Sequence, residues 1–184
     1  MKMEENQDTS ELEMLIQGRL DVERVRRLQM EPKDPDRMEK YIAIRQKAAR
    51  YSYRILLPLS EKLCIVDRDG SPSVMCNCGY DFGDYRENWK LSANIYVYDT
   101  VEKLDQLYGR EHGYDPTLIE MREYICPGCA SLLDTEVVPY GYPVLFDFLP
   151  DIGVLYEKWL GITGLEEYSA QDNSDKKVAT FLET

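Results

Sequence analysis

Four of the five cysteines in this 184-residue chain stand in two close pairs, Cys76-Asn-Cys78-Gly79 and Cys126-Pro-Gly-Cys129, with 47 residues between the pairs. No other feature constrains the fold as much. If one ion takes all four thiolates, two distant segments must meet as tight turns, and everything between them must bring the chain back to the same point. Each pair follows a stretch that reads as a β-strand, Val74-Met-Cys76 and Glu120–Ile125. Each also holds a glycine, Gly79 and Gly128, whose backbone can bend around a metal and aim amide protons at sulfur. Four sulfurs in a tetrahedron suit Zn²⁺, whose filled d shell imposes no other geometry and which does no redox chemistry. Cys76, Cys78, Cys126 and Cys129 are the candidate metal ligands.

Turns of this kind at strand ends are similar to the knuckles of zinc ribbons. A closed four-thiolate site leaves no open position for water or substrate, so it staples a fold rather than hydrolysing anything. Structural zinc binds small domains with about 10 to 16 kcal/mol of apparent free energy, as much as a whole domain's stability of about 5 to 15 kcal/mol. Two other uses of the sulfurs stay open at this level, an iron–sulfur cluster and a reversible Cys126–Cys129 disulfide of the Cys-x-x-Cys redox type. The redox use asks for a helix starting at the first cysteine, whereas Ser131–Glu136 reads as strand or turn. Cys64, inside Leu63-Cys-Ile-Val66, reads as a buried apolar residue.

Composition removes most catalytic chemistries. His112 is the single histidine, so multi-histidine sites are excluded, and any Ser-His-Asp or Cys-His arrangement must use that residue. It lies in the glycine- and proline-punctuated stretch Gly109–Pro116, which reads as a surface loop. Phosphate-binding, dinucleotide-binding and nucleophile-elbow motifs are absent, and no residue is assigned a catalytic or cofactor-binding role. Asp67, Asp69, Asp81 and Asp84 have the chemistry for a hard cation, but Asp81-Phe-Gly-Asp84 matches the kinase magnesium motif over three letters only.

With 22 Lys and Arg against 34 Asp and Glu, the net charge is −12. Such a surface repels phosphate backbones and anionic lipid heads, so neither nucleic acid nor a membrane is an expected partner. No apolar run approaches the roughly 18 residues that cross a bilayer, and Met1–Glu11 has no apolar signal core. The expected location is cytoplasmic, where structural disulfides are rare.

The pattern along the chain predicts an α+β fold: N-terminal short helices, a small antiparallel sheet carrying a zinc-ribbon-like four-cysteine module, and a C-terminal helix. A mobile N-terminus (1–9) precedes a helical arm (10–53). Within the arm, Ser10 and Glu13 form a capping box, with Leu12, Leu15 and Ile16 behind it and Gly18 as a stop. Asp21 caps a second helix with the buried stripe Val22, Val25 and Leu28. Asp34 caps a third, with Pro35 at its first position and one face formed by Met38, Tyr41, Ile42, Arg45, Ala48 and Ala49, running to about Tyr53. The β domain (54–136) contains Ile55–Leu57, a hairpin from Lys62–Val66 through Asp67–Pro72 into Val74–Cys76, the strand Asn94–Tyr98, and an amphipathic helix from Val101 to Tyr108. An aromatic strap and C-terminal helix follow (137–162). In the strap, Val144, Phe146 and Phe148 face one side and Leu145 and Leu149 the other, which leaves two readings open: cover from both its own domain and another chain, or a strap over its own core alone. In the helix, Asp151 precedes the stripe Ile152, Leu155, Tyr156, Trp159 and Leu160. A polar, loosely ordered tail (163–184) ends the chain.

The succession Lys33-Asp-Pro-Asp-Arg37, Cys76-Asn-Cys-Gly-Tyr-Asp-Phe82, Glu87-Asn-Trp-Lys-Leu-Ser-Ala93, Arg122-Glu-Tyr-Ile-Cys-Pro-Gly-Cys129, Tyr142–Asp151 and Tyr156-Glu-Lys-Trp-Leu-Gly161 resembles the small gamma subunit family of acetone carboxylases over about residues 10 to 162. The resemblance implies a heterohexamer with two copies each of alpha, beta and gamma chains, which joins bicarbonate to acetone at the expense of ATP to give acetoacetate. It places ATP, Mg²⁺ and Mn²⁺ in the large alpha and beta partners and Zn²⁺ in the gamma chain. It thereby makes this chain an accessory subunit of a C–C bond-forming ligase, not catalytic by itself, with the metal on Cys76, Cys78, Cys126 and Cys129. The chain departs from the family pattern in having Gly83 where a further cysteine is usual and Ala130 where a glycine follows the last cysteine. Carboxylases of other ketones, such as acetophenone, also carry a small zinc subunit, so the ketone stays open. The reading from residues alone also keeps a free-standing zinc-ribbon adaptor or regulator, with a dithiol redox protein third.

Overall fold

The Asp69-Gly70 dipeptide turns the chain tightly between β2 (Leu63–Arg68) and β3 (Ser71–Cys76), which pair antiparallel from Arg68↔Ser71 to Leu63↔Cys76. Both turn residues have positive φ, 54° and 86°, as a two-residue hairpin turn that matches the strand twist requires. The computed structural model describes residues 9–109, 115–165 and 168–175. His112, expected in a surface loop, lies outside them, as do nearly all of the N-terminal segment expected to be mobile and the last residues of the tail. β1 (Arg54–Pro58) pairs with β2, and β4 (Asp81–Asp84) pairs with β3, giving a four-stranded antiparallel sheet in the order β1-β2-β3-β4. A second sheet has the order β5-β6-β7, from Asn94–Tyr98, Ile119–Ile125 and Leu132–Pro139.

The α+β class is as expected, but the strands form two sheets where one was expected. The kinase-like tetrapeptide Asp81–Asp84 is strand β4, too short and too glycine-bearing to show in a hydrophobic pattern. Its acidic groups are engaged locally. Asp81 meets Arg68, Ser73 and the Gly83 amide, and Asp84 meets Arg86. A 3₁₀ turn, Trp89–Ser92, then carries the chain to the second sheet.

Both faces of the first sheet are covered. Ile55, Cys64, Val66 and Met75 form one buried cluster with Ile42 of α3 (Arg37–Ala48). On the opposite face, Leu56, Leu63, Ile65, Val74 and Phe82 pack against Ile152, Tyr156 and Tyr168 from the C-terminal segment. The Tyr156 hydroxyl donates to the Leu56 carbonyl at 2.8 Å, which satisfies a polar group that would otherwise be costly to bury. On the second sheet, Tyr98 and Met121 pack against Leu104 of α4 (Val101–Tyr108).

The N-terminal helices follow their caps with some shifts. α1 spans Thr9–Ile16, so Ser10 sits inside the helix rather than at its cap. α2 spans Val22–Met30, and the Asp21 carboxylate accepts from the Arg24 amide at 2.9 Å, as a cap should. Its stripe is narrower than expected: Leu28 is buried, while Val22, in the first turn, is 66% exposed. Arg24 uses its charge to join Glu11 of α1 to Glu31. α3 begins at Arg37, later than Pro35, because Arg37 N–H bonds the Asp34 carbonyl in a preceding turn while the Asp34 carboxylate accepts from Lys40 Nζ at 2.9 Å. It stops at Ala48, short of Tyr53, with Ile44 and Arg45 as its buried residues.

Two expectations about the C-terminus change. Asp151 does cap α5 (Ile152–Leu155), accepting from Val154 N–H at 2.9 Å. The helix then widens into a π turn, Tyr156–Leu160, closed by Gly161 at φ 64°. The extra residue per turn rotates the apolar stripe, so Tyr156 stays buried while Trp159 is 71% exposed. Beyond it, the stretch expected to be loosely ordered docks on the body. Tyr168 is 4% exposed, the Tyr85 hydroxyl donates to its carbonyl at 2.7 Å, and the Asn88 backbone amide donates to Ser174 Oγ at 3.0 Å. Among the described residues no helix is long and apolar enough to cross a membrane.

A buried lysine fastens the strap. Lys90 Nζ lies 3.0 Å from Asp147 of the strap, and 3.1 and 3.2 Å from Asp134 and Glu136 of β7. Burial alone would push the ammonium group down, but hydrogen bonds to Asp147 and Asp134 hold it above the ordinary lysine range. Lys90→Met leaves three carboxylates facing one another. Two of them are partly solvated, so the expected loss is about 3 kcal/mol, at the low end for a broken buried pair. The midpoint of denaturant unfolding measures it, and an unchanged midpoint would show that the network holds nothing.

Candidate metal centre

Each knuckle is built by the strand that precedes it. β3 ends at Cys76, where Cys76 N–H donates to the Tyr80 carbonyl at 2.9 Å and Gly79 N–H to the Cys76 carbonyl at 2.8 Å, folding residues 76–80 into one tight turn. Gly79 needs φ of 96° there, a conformation that side chains disfavour. Asn77 N–H donates to the Lys62 carbonyl at 2.8 Å and pins the turn to the start of β2. The second knuckle follows β6. Cys126 N–H donates to Ser131 O and Ala130 N–H to Cys126 O, both at 2.9 Å.

The two turns meet. Cys76 and Cys129 sulfurs are 3.8 Å apart, Cys78 and Cys126 sulfurs 3.7 Å apart, and all four lie within 4.8 Å of one another. A tetrahedron with Zn–S bonds of about 2.3 Å has edges of about 3.8 Å, so the quartet has the size of a thiolate–zinc cage. All five cysteines are free of disulfides. Among the described residues this is the only grouping of His, Cys, Asp and Glu placed to hold a metal. Cys64 is fully buried in the α3-facing cluster, outside the quartet, as its apolar setting predicts.

The approach of the knuckles explains Gly128. A Cβ there would lie 3.0 Å from Tyr80 Cβ and 3.3 Å from Cys78 Sγ. Its lack of a side chain therefore serves contact between the turns, while its amide, with that of Cys129, donates to the Cys126 sulfur as expected. The Cys78 amide does the same for Cys76. An edge-to-face aromatic chain holds the two sheets together behind the knuckles: Tyr80 to Phe82 at 4.9 Å, Phe82 to Trp89 at 5.8 Å, Trp89 to Tyr124 at 6.0 Å.

Electrostatics fits a cation at the centre. Burial pushes the Cys76 and Cys126 thiols up, toward the protonated form. Cys129 is exposed, and hydrogen bonds from the Ser131 hydroxyl and amide pull it down to about 6. A divalent ion among the four sulfurs overrides the burial penalty and deprotonates the ligands outright. An all-sulfur donor set with no carboxylate or imidazole favours zinc or an iron–sulfur cluster over hard cations.

Two residues of this region are not marked in the sequence as functional. Lys90 has no motif. Arg45 does carry a signal, since it stands on the apolar face of α3, where a charge needs a reason.

Comparison with known proteins places these features. A family model described as the acetone carboxylase gamma subunit matches residues 49–160, which span both knuckles, the strap and the C-terminal helix. The acetone carboxylase gamma subunit of Xanthobacter autotrophicus is 41% identical over 150 residues, covering 80% of this chain and 89% of that protein. The acetophenone carboxylase beta subunit of Aromatoleum aromaticum is 27% identical over 81 residues, 43% of this chain and 63% of that protein.

Backbone geometry at the second knuckle yields two opposite expectations. Gly128→Ala forces the knuckles apart and should cost about 1 to 3 kcal/mol. Ala130 holds φ of 55°, so Ala130→Gly removes a left-handed strain and should stabilise by up to about 1 kcal/mol. Thermal unfolding of both variants tests the geometry, and a stable Gly128→Ala protein contradicts the close approach.

Proposed function

Because the chain belongs to the acetone carboxylase gamma subunit family, we propose that it is the small zinc-binding subunit of an ATP-dependent ketone carboxylase, with a structural and assembly role. The observation that carries the reading is the sulfur quartet, four thiols drawn within 4.8 Å from two segments 47 residues apart in a chain of this family. Cys76, Cys78, Cys126 and Cys129 hold Zn²⁺, which supplies no chemistry beyond joining the two turns. The chain's own residues enclose the ion: Tyr80 and Gly128 close one side, and amide protons from both knuckles stabilise the thiolates. Carboxylation of acetone with bicarbonate, and the ATP, Mg²⁺ and Mn²⁺ it uses, belongs to larger alpha and beta partners in an α2β2γ2 assembly.

Surface chemistry supports a partner-bound life. Tyr140, Tyr142, Leu145 and Phe148 of the strap, with Trp159 of the π turn, are exposed, and large exposed aromatics in one segment are what a larger subunit covers. The strap is thus apolar on its outer side and tied down inside by Lys90. A second reading keeps the same role but changes the ketone to a bulkier one, and the similarity to the acetophenone carboxylase subunit favours keeping it.

Purified from its native source through a tag, the chain should bring two much larger polypeptides with it, hold one zinc per copy, and be needed for ATP-dependent ketone carboxylation. Recovery as a lone soluble monomer would sink the assignment in favour of an adaptor. Acetone and acetophenone assayed side by side separate the two ketones. Cys76→Ser should abolish zinc binding and destabilise the chain by more than about 4 kcal/mol. Cys64→Ala should leave the zinc content at one per chain.

A further inference from the structure

Arg45 is 6% exposed, and its guanidinium has an unusual set of partners. Nη1 donates to the Glu61 carbonyl at 2.6 Å, and Nη2 donates to the Ser60 carbonyl at 3.2 Å and to Asn77 Oδ1 at 3.1 Å, with Cys64 Sγ at 3.4 Å. Nε is buried and makes no hydrogen bond. Glu61 offers its carbonyl here, not its carboxylate. Among the described residues, the other two buried cations sit among carboxylates: Lys90 faces Asp134, Glu136 and Asp147, and Arg122 faces Glu120 and Glu136. Arg45 has no carboxylate partner among the described residues. A buried charge in that position needs an opposite charge close by.

Its side-chain partner stands between two of the candidate metal ligands. Asn77 is the one residue between Cys76 and Cys78. Its Nδ2 donates to the Glu61 carbonyl at 2.9 Å, its amide to the Lys62 carbonyl at 2.8 Å, and its carbonyl accepts from Arg50 N–H at 3.4 Å. The first knuckle is therefore clamped between the start of β2 and the end of α3, with Arg45 at the centre of the clamp. Four thiolates around a divalent ion carry two surplus negative charges, and a guanidinium held to the intervening asparagine is well placed to offset them.

We propose that Arg45 is the positioning residue and countercharge of the four-cysteine centre, holding the Cys76–Cys78 knuckle through Asn77 and coupling the helical arm to the metal. This rests on the reading that the centre binds zinc. It assigns a role to an arginine that otherwise looks like a misplaced charge on an apolar helix face, and it makes α3 part of the metal site.

The test measures zinc affinity by competition with a zinc-responsive chelating dye, in the protein purified with its partners. Arg45→Met and Asn77→Ala should each weaken zinc roughly 10- to 100-fold, the effect typical of losing a group that orients metal ligands. Arg45→Lys keeps the charge but loses the fork of contacts, and should fall between these and the unmodified protein. Ile44→Val, a neighbouring core truncation in the same helix, should leave affinity unchanged and controls for lost packing. Unaltered affinity in Arg45→Met, or equal weakening in Ile44→Val, sinks the proposal while the zinc reading stands. If Arg45→Met does not fold, Arg45→Lys and Asn77→Ala decide, and wild-type affinity in both is equally fatal. Unmodified protein that binds no zinc defeats the zinc reading and this inference together.

Discussion

Everything in this structure is arranged around the convergence of two turns that the chain makes 47 residues apart. For the sulfurs of Cys76, Cys78, Cys126 and Cys129 to lie within 4.8 Å, β3 and β6 must end at the same place, although they belong to different sheets. That condition accounts for the short β4, the 3₁₀ turn at Trp89–Ser92 and the aromatic chain from Tyr80 to Tyr124, which together carry the chain from one sheet to the other. It accounts equally for Gly128, where a single methyl group would meet the opposing knuckle. A metal ion adds free energy to such an arrangement, but the geometry has to be prepared by packing before four thiolates can share one ion.

The second organising element is the handling of charge inside an acidic chain. Lys90 and Arg122 are both buried, and both are surrounded by carboxylates on β6, β7 and the strap. These networks tie the paired strands β6 and β7 to an irregular segment that no hydrogen-bond ladder holds. The strap itself has no repeating backbone structure, and its outer aromatic side chains remain exposed even after Asp147 is anchored. A segment fixed from below and apolar above is suited to a subunit interface, which agrees with membership of a family of carboxylase subunits.

Much of this is legible in the chain itself because it depends on local chemistry. The hairpin at Asp69-Gly70, the caps at Asp21 and Asp151, strand β5 and helix α4 each follow from a few neighbouring residues. The cysteine quartet is legible for a related reason: thiol pairs on glycine-bearing turns have few other uses. Features that depend on packing are not legible in this way. Trp159 sits on a helical stripe by arithmetic, yet the π turn rotates it into solvent. Tyr168 lies in a polar stretch but contributes its side chain to the main core, and that contact, with hydrogen bonds from Tyr85 and Asn88, docks the described part of the tail.

The amino-acid order alone determined which atoms could bind a metal, which strands and helices could form, and which family pattern the chain carries. It could not determine that those strands divide into two sheets, because pairing partners are chosen by side-chain complementarity across space and not by spacing. Nor could it determine the setting of Arg45, whose one charge reads as an intrusion on the apolar face of α3 until Asn77 and the knuckle are brought beside it. Periodicity records only which face of an element is buried. What that face meets, and whether a buried charge finds its counterpart, is decided when distant segments are packed together.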